Sequence, residues 1–157
     1  MRLTRAGEYA VRCTLYLSYL GKGILATRKD IASTMDIPDQ FLGKIAQQLA
    51  RAGIIEIVQG AKGGYRLMRS PLQLTLLDVV EAMIGEIVLN DCLINPDVCY
   101  RSPSCEVNRV WQKARDQLRD TLRQTRFIDL IGNDSGTDHL VKPLENHSAV
   151  KFMFNNR

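Results

Sequence analysis

PDQFLGKIAQQLARAGIIEIVQGAKGGYRLM, residues 38–68, is the stretch that decides the fold. Its first half predicts a helix from about Pro38 to Ala52. Leu42, Ile45, Ala46 and Leu49 follow the i, i+3, i+4, i+7 rule and must face a core. That leaves Asp39, Gln40, Gly43, Lys44, Gln47, Gln48 and Arg51 outside. Pro38 suits the first turn of such a helix, and Gly53 is placed to end it as a left-handed cap. The second half changes period. Ile54-Ile55-Glu56-Ile57-Val58 is a β-rich run, Gly60-Ala61-Lys62-Gly63-Gly64 is a glycine-rich tip, and Tyr65-Arg66-Leu67-Met68 is a returning strand. A hairpin directly after a helix with a polar outer face has the position of a wing, and glycines at its tip let the backbone approach a groove closely.

Upstream, Thr27-Arg28-Lys29-Asp30 resembles a capping box with Asp30 in place of glutamate, so a second helix starts there and runs through Met35. Asp36-Ile37-Pro38 makes the turn between the two helices, which completes a helix-turn-helix. A first helix spans Thr4 to Leu20, with Ala10, Val11, Leu15, Leu17 and Leu20 on its apolar face, and Gly21-Lys22-Gly23 ends it. Residues 1–66 hold ten Lys and Arg against five Asp and Glu, whereas residues 67–157 hold eleven against twelve. The basic excess of the +4 chain therefore lies entirely in the winged half, as nucleic-acid binding requires. Gln40 and Lys44, one turn apart, are the base-reading candidates, for adenine and guanine respectively. Arg28, Lys29, Arg51, Lys62 and Arg66 are the candidate phosphate or minor-groove contacts, with the wing glycine Gly63 beside Lys62.

Downstream, Ser70-Pro71 is a break. Thr75-Leu76-Leu77-Asp78 opens an apolar helix that runs through Ile84. Cys92, Cys99 and Cys105 then fall in one segment, about Asp91 to Cys105, that Pro96 and Pro103 keep irregular. Thiols grouped this tightly point to a metal or iron–sulfur site, or to a redox switch. Residues 106–124 contain no Gly or Pro. Val107, Trp111, Ala114 and Leu118, widened by Val110 and Leu122, form a stripe for packing within the fold or across a dimer. The organisation expected is a winged helix-turn-helix over 1–70, a cysteine loop with dimerisation helices over 71–131, and a tail over 132–157. The fold class is mainly α with a small β-hairpin. In the tail, only Val150–Phe154 is expected to pack, and His139 and His147 are not expected to be ligands.

The composition, 45% hydrophobic and 24% charged over 157 residues, is that of an ordinary globular domain. No apolar run approaches the ~20 residues needed to span a bilayer. Met1 to Arg5 lacks the apolar core of a signal peptide, so a cytoplasmic location without membrane association is expected. In that compartment thiols stay reduced. There is no C-x-x-C, no nucleotide-binding glycine loop and no catalytic constellation, which leaves a thiol oxidoreductase without support. Cys13, among apolar neighbours in the first helix, reads as a small core residue.

Several stretches together resemble the BadM/Rrf-type winged-helix iron–sulfur transcriptional regulators (the IscR, NsrR and RirA relatives). They are the opening Met1 to Arg12, Ile31-Ala32, Phe41-Leu42 through Leu49, Arg51-Ala52-Gly53-Ile54-Ile55, Gly60 to Leu67, and the three spaced cysteines. The resemblance covers about residues 1–131. It implies a homodimeric regulator, usually a repressor, that binds palindromic double-stranded DNA, with the 106–124 helix crossing between subunits. It also implies that Cys92, Cys99 and Cys105 ligate a 2Fe-2S or 4Fe-4S cluster and that the chain senses iron, nitric oxide or redox state through it. The regulator of iron–sulfur assembly has a histidine three residues after its last cysteine; here that position is Asn108. Some relatives use an acidic side chain from the partner's first helix, and this chain has Glu8 there, so Glu8 of the partner subunit is the expected fourth ligand. The alternatives are a zinc site or a metal-free thiol switch in the same DNA-binding regulator.

Overall fold

The computed structural model describes residues 4–132. Helix α1 (Arg5–Leu20) starts where the Thr4 hydroxyl accepts the Gly7 N–H at 3.2 Å. Its buried face is Ala10, Cys13, Tyr16, Leu17 and Leu20, while Val11 and Leu15 pack at the margin of the core. Strand β1 (Leu25–Ala26) follows, then helix α2 (Arg28–Thr34), capped by Thr27, whose hydroxyl accepts the Asp30 N–H at 3.1 Å. Helix α3 (Asp39–Arg51) buries Leu42, Ile45, Ala46 and Leu49, the four residues its periodicity assigns to the core. Gly53, just beyond its end, adopts φ 66°, the left-handed conformation that lets the chain turn straight into a strand.

Strands β2 (Ile55–Val58) and β3 (Gly64–Leu67) form the expected hairpin, paired Ile55 to Leu67 through Val58 to Gly64. The hairpin is not the whole sheet. β1 pairs antiparallel with β3, Leu25 opposite Arg66 and Ala26 opposite Tyr65, giving three strands in the order β1-β3-β2. Gly64 permits this: a Cβ built on it would lie 2.0 Å from the Ala26 carbonyl oxygen. The wing is thus tied by its returning strand to the chain that enters α2.

Helix α4 (Leu76–Ile84) begins in a reciprocal capping box between Thr75 and Asp78. Although partial burial pushes the Asp78 carboxyl up, hydrogen bonds from Thr75 and the Arg69 guanidinium hold it below the usual range. The cysteine segment is not irregular throughout, as expected from its prolines. It is three successive 3-10 turns, Asp91–Leu93, Pro96–Val98 and Ser102–Ser104, with a proline in the first positions of the second and third. A proline there gives up no hydrogen bond, because those N–H groups have no partner within the turn.

Helix α5 (Glu106–Gln124) has the extent the sequence predicts, and its apolar stripe divides into two parts. Leu118 and Leu122 pack against Leu77, Val80 and Ile87. Val107, Val110 and Trp111 are 57%, 62% and 39% exposed. Helix α6 (Phe127–Gly132), which no periodicity announced, turns back to the first core and buries Phe127 and Ile131 there. Its entry is fastened by backbone bonds, Leu76 N–H to Thr125 at 2.8 Å and Phe127 N–H to Leu74 at 2.9 Å. Among the described residues no helix is long and apolar enough to cross a membrane. The tail residues, including Val150–Phe154, His139 and His147, lie outside the described part.

Arg119 holds α5 to α4. Its guanidinium pairs with Glu81 at 3.2 Å and with Glu86, and Glu81 also accepts the Ile87 N–H at 3.1 Å. Arg119→Leu leaves the partly buried Glu81 without its counter-charge and is expected to destabilise the fold by about 1–3 kcal/mol, read as a lower urea midpoint. An unchanged midpoint would show that Leu118 and Leu122 alone fix the helix.

Candidate metal centre and nucleic-acid interface

The winged face is built from α2, α3 and the hairpin. Gln40, Lys44, Arg51, Lys29 and Lys62 all project into solvent, so the basic side chains singled out in the sequence are accessible. Two of the arginines are also used inside the fold. Arg28 Nη2 donates to the Asp39 carboxylate at 2.7 Å and to the Asp39 carbonyl at 2.6 Å, and so fastens α2 to the first turn of α3. Its guanidinium lies over Gly43, 3.6 Å from where a side chain would begin. Arg66 pairs across the strands with Glu56 at 2.7 Å, and that hydrogen bond holds the Glu56 carboxyl below its usual range. Neither pair follows from the sequence alone, because each depends on a register or crossing angle. A cleft of about 390 Å³ separates α3 from the wing, with Arg28, Gln47, Gly63 and Tyr65 among its walls. At the tip, a Cβ on Gly63 would lie 2.2 Å from the Val58 carbonyl oxygen, so no larger residue fits this turn unchanged.

The second site is the cysteine loop. Cys92 sits within the first 3-10 turn, Cys99 ends the second, and Cys105 ends the third and caps α5. All three are half-buried free thiols. Cys92 and Cys105 line one cavity of about 430 Å³ together with Ser102, Asn108, Arg109 and Gln112; Cys99 is not part of its wall. Among the described residues no group of three or more His, Cys, Asp or Glu side chains is gathered closely enough to hold a metal ion. Glu8, exposed in the first turn of α1, does not line this cavity within its own protomer. The donor chemistry nonetheless suits a thiophilic group: soft sulfur ligands on a short loop, two of them lining a cavity with amide side chains beside them.

Asn108, an amide and so a poor iron ligand, has a different part in the structure. It is 7% exposed, and its Nδ2 faces Cys92, 3.3 Å from Sγ and 3.5 Å from the carbonyl oxygen. Gln112 Nε2 donates to Asn108 Oδ1 at 3.0 Å. The signal was available in the spacing: Asn108 and Gln112 lie one turn apart on the first turns of α5, directly after Cys105. Cys13 is a different case. It is fully buried, and burial pushes its thiol up to about 12, so it stays protonated and inert.

Known proteins agree with this architecture. Residues 3–133 match the Rrf2 family, described as "Iron-dependent Transcriptional regulator". Protein aau3 of Rhizobium meliloti is 34% identical over 132 residues, covering 83% of this chain and 85% of that one. The transcriptional regulator NsrR of Halalkalibacterium halodurans is 29% identical over 143 residues, 90% of this chain and 98% of NsrR. Among solved structures, CymR, the global cysteine regulator of B. subtilis, superposes with a TM-score of 0.69 at 23% identity, covering 84% of this chain and 97% of CymR. IscR of T. potens superposes with a TM-score of 0.68 at 19% identity, covering 89% and 93%. The chain belongs to the Rrf2 family and is a winged helix-turn-helix transcriptional regulator.

Proposed function

We propose that the protein is a homodimeric, cytoplasmic repressor whose cysteine loop holds an iron–sulfur cluster, 2Fe-2S or 4Fe-4S, through Cys92, Cys99 and Cys105, with the partner's Glu8 as fourth ligand. One observation carries the reading: three free, half-buried thiols on one loop, two of them on a common cavity where a buried amide donates toward sulfur. When bound, such a cluster supplies a cross-link that oxidants, nitric oxide or iron shortage can remove. The chain's own residues give that cross-link its reach. The loop runs into α5 at Cys105, α5 is held to α4 by the Arg119–Glu81 pair, and α5 offers Val107, Val110 and Trp111 to a second protomer. Glu8 is followed by Tyr9, whose ring lies 5.8 Å from that of Phe41 on α3. A ligand at Glu8 is therefore one side-chain contact away from the helix that reads DNA.

On a palindromic operator the two α3 helices enter major grooves about one helical turn (~34 Å) apart. Gln40 and Lys44 face base edges. Arg28, Lys29, Arg51, Lys62 and Arg66 face phosphates, with the Gly63 backbone close to the groove wall. The ion pairs of Arg28 and Arg66 leave further N–H groups of each guanidinium for a phosphate and hold it in place. Gln40→Ala is expected to change sequence preference. Lys62→Ala is expected to weaken binding to all sequences alike and to lower the salt slope by about 1. Equal weakening on every sequence by Gln40→Ala would remove Gln40 from the base-reading set.

The cluster reading is tested by anaerobic purification with iron, sulfide and visible absorption measured alongside operator binding. A colourless, iron-free protein with normal regulated binding overturns it. A metal-free thiol switch is the second reading, favoured by the three thiols not being gathered within one protomer; a zinc site on the same thiols is the third. Reversible thiol oxidation without metal would establish the second, and zinc without sulfide the third.

A further inference from the structure

We propose that Asn108, braced by Gln112, and Ser102 are built-in hydrogen-bond donors to the sulfur of the cysteine centre and set its reduction potential. The inference deepens the cluster reading and rests on it. Asn108 is a buried polar side chain on a helix whose other first-turn residues face solvent, and its placement needs a reason. Its amide is oriented rather than free. The Gln112 amide donates to Asn108 Oδ1 at 3.0 Å, which leaves Nδ2 to point the other way, 3.3 Å from Cys92 Sγ. An amide N–H against a thiol is a weak contact; against a metal-bound thiolate it is charge-assisted and much stronger. The arrangement therefore suits a metal-bound sulfur at Cys92.

Ser102 points to the same conclusion independently. Its hydroxyl is buried, lines the cavity shared by Cys92 and Cys105, and makes no hydrogen bond among the described residues. A buried hydroxyl left unpaired is costly; those of Thr14 and Ser18 are also unpaired among the described residues, but the Ser102 hydroxyl is the one that lines the cysteine cavity. An acceptor entering this cavity, such as a cysteine thiolate or a bridging sulfide, would complete it. Two donors then line the same cavity as Cys92 and Cys105, one from α5 and one from the third 3-10 turn. Neither is a ligand. Each acts through sulfur by withdrawing electron density from it, which favours the reduced state of the bound iron.

The test is a redox titration of the anaerobically reconstituted holo-protein, with resonance Raman of the iron–sulfur(Cys) stretches as a second readout. Asn108→Leu keeps bulk but removes the donor. It is expected to shift the potential to more negative values and the stretch to higher frequency. Gln112→Leu removes only the brace and is expected to shift both in the same direction by less. Ser102→Ala is expected to lower the potential while leaving the thermal stability of the metal-free protein unchanged or raised, since its hydroxyl bonds nothing there. A structural role would instead lower metal-free stability and leave the potential alone. If the wild type binds iron and sulfide and all three variants keep its potential and its Raman frequencies, the inference fails and the cluster reading stands. If the wild type binds no iron, both fail together.

Discussion

Cys92→Ala is expected, on the proposed cluster reading, to purify without visible absorption, iron or sulfide, while its far-ultraviolet circular dichroism is unchanged. The reason is positional. Cys92 lies in a single 3-10 turn with no buried residue, so deleting its sulfur removes a ligand without opening a core cavity. On the cluster reading the loss should be complete, because three thiolates would already leave the cluster dependent on one weaker oxygen donor. Cys99→Ala and Cys105→Ala should behave alike, since each thiol terminates its own turn and none can substitute for another. Cys13→Ala is the matched control. Its sulfur is buried in α1 and protonated at any physiological pH, so iron content should not change. The stability added by the group to the wild type should vanish in the loop variants, because a ligand that binds only the folded state raises its melting temperature. A Cys92→Ala protein with full iron and sulfide would remove Cys92 from the ligand set.

Gly64→Ala is expected to cost about 3 kcal/mol and to abolish specific operator binding. The added methyl would sit 2.0 Å from the Ala26 carbonyl oxygen and 2.8 Å from its carbon. Both are backbone atoms, which cannot rotate away as a side-chain end can. β1 must then leave β3, or the wing must swing off the sheet. The expected loss in melting temperature is about 6–12 °C at ~2–4 °C per kcal/mol for a chain of this size. Because the same strand positions Gly63 and Lys62, DNA affinity should fall on all sequences together. A variant that melts like the wild type would mean that β1 contributes nothing to holding the wing.

The winged helix was legible because its signals are local. The hydroxyl caps at Thr27 and Thr75, the 3.6-residue period of Leu42 to Leu49, and the β-rich run from Ile54 each act between near neighbours in the chain. The grouping of three thiols in one short segment and the one-sided charge excess of the winged half were visible in the same way. Family resemblance added the expected ligand set and the dimer, and the Rrf2 match over residues 3–133 fixes the family itself.

What stayed hidden was non-local. β1 is two residues long and has no pattern of its own; it is a strand because β3 offers it an edge and Gly64 offers it room. α6 is too short to hold together by propensity, and exists because Phe127 and Ile131 find a core already formed by α1. Whether α5's stripe faces the fold or solvent depends on where Glu81 and Glu86 meet Arg119, 38 and 33 residues away in the chain. Asn108 was visible in the sequence only as a missing ligand; its role as a donor to Cys92 exists only once the loop folds back onto α5. The sequence by itself determined the elements, their caps and the residue types available for chemistry, because those follow from bonds between near neighbours. Only the tertiary structure decided which of those residues meet, because contact between distant parts of a chain is set by packing and not by spacing.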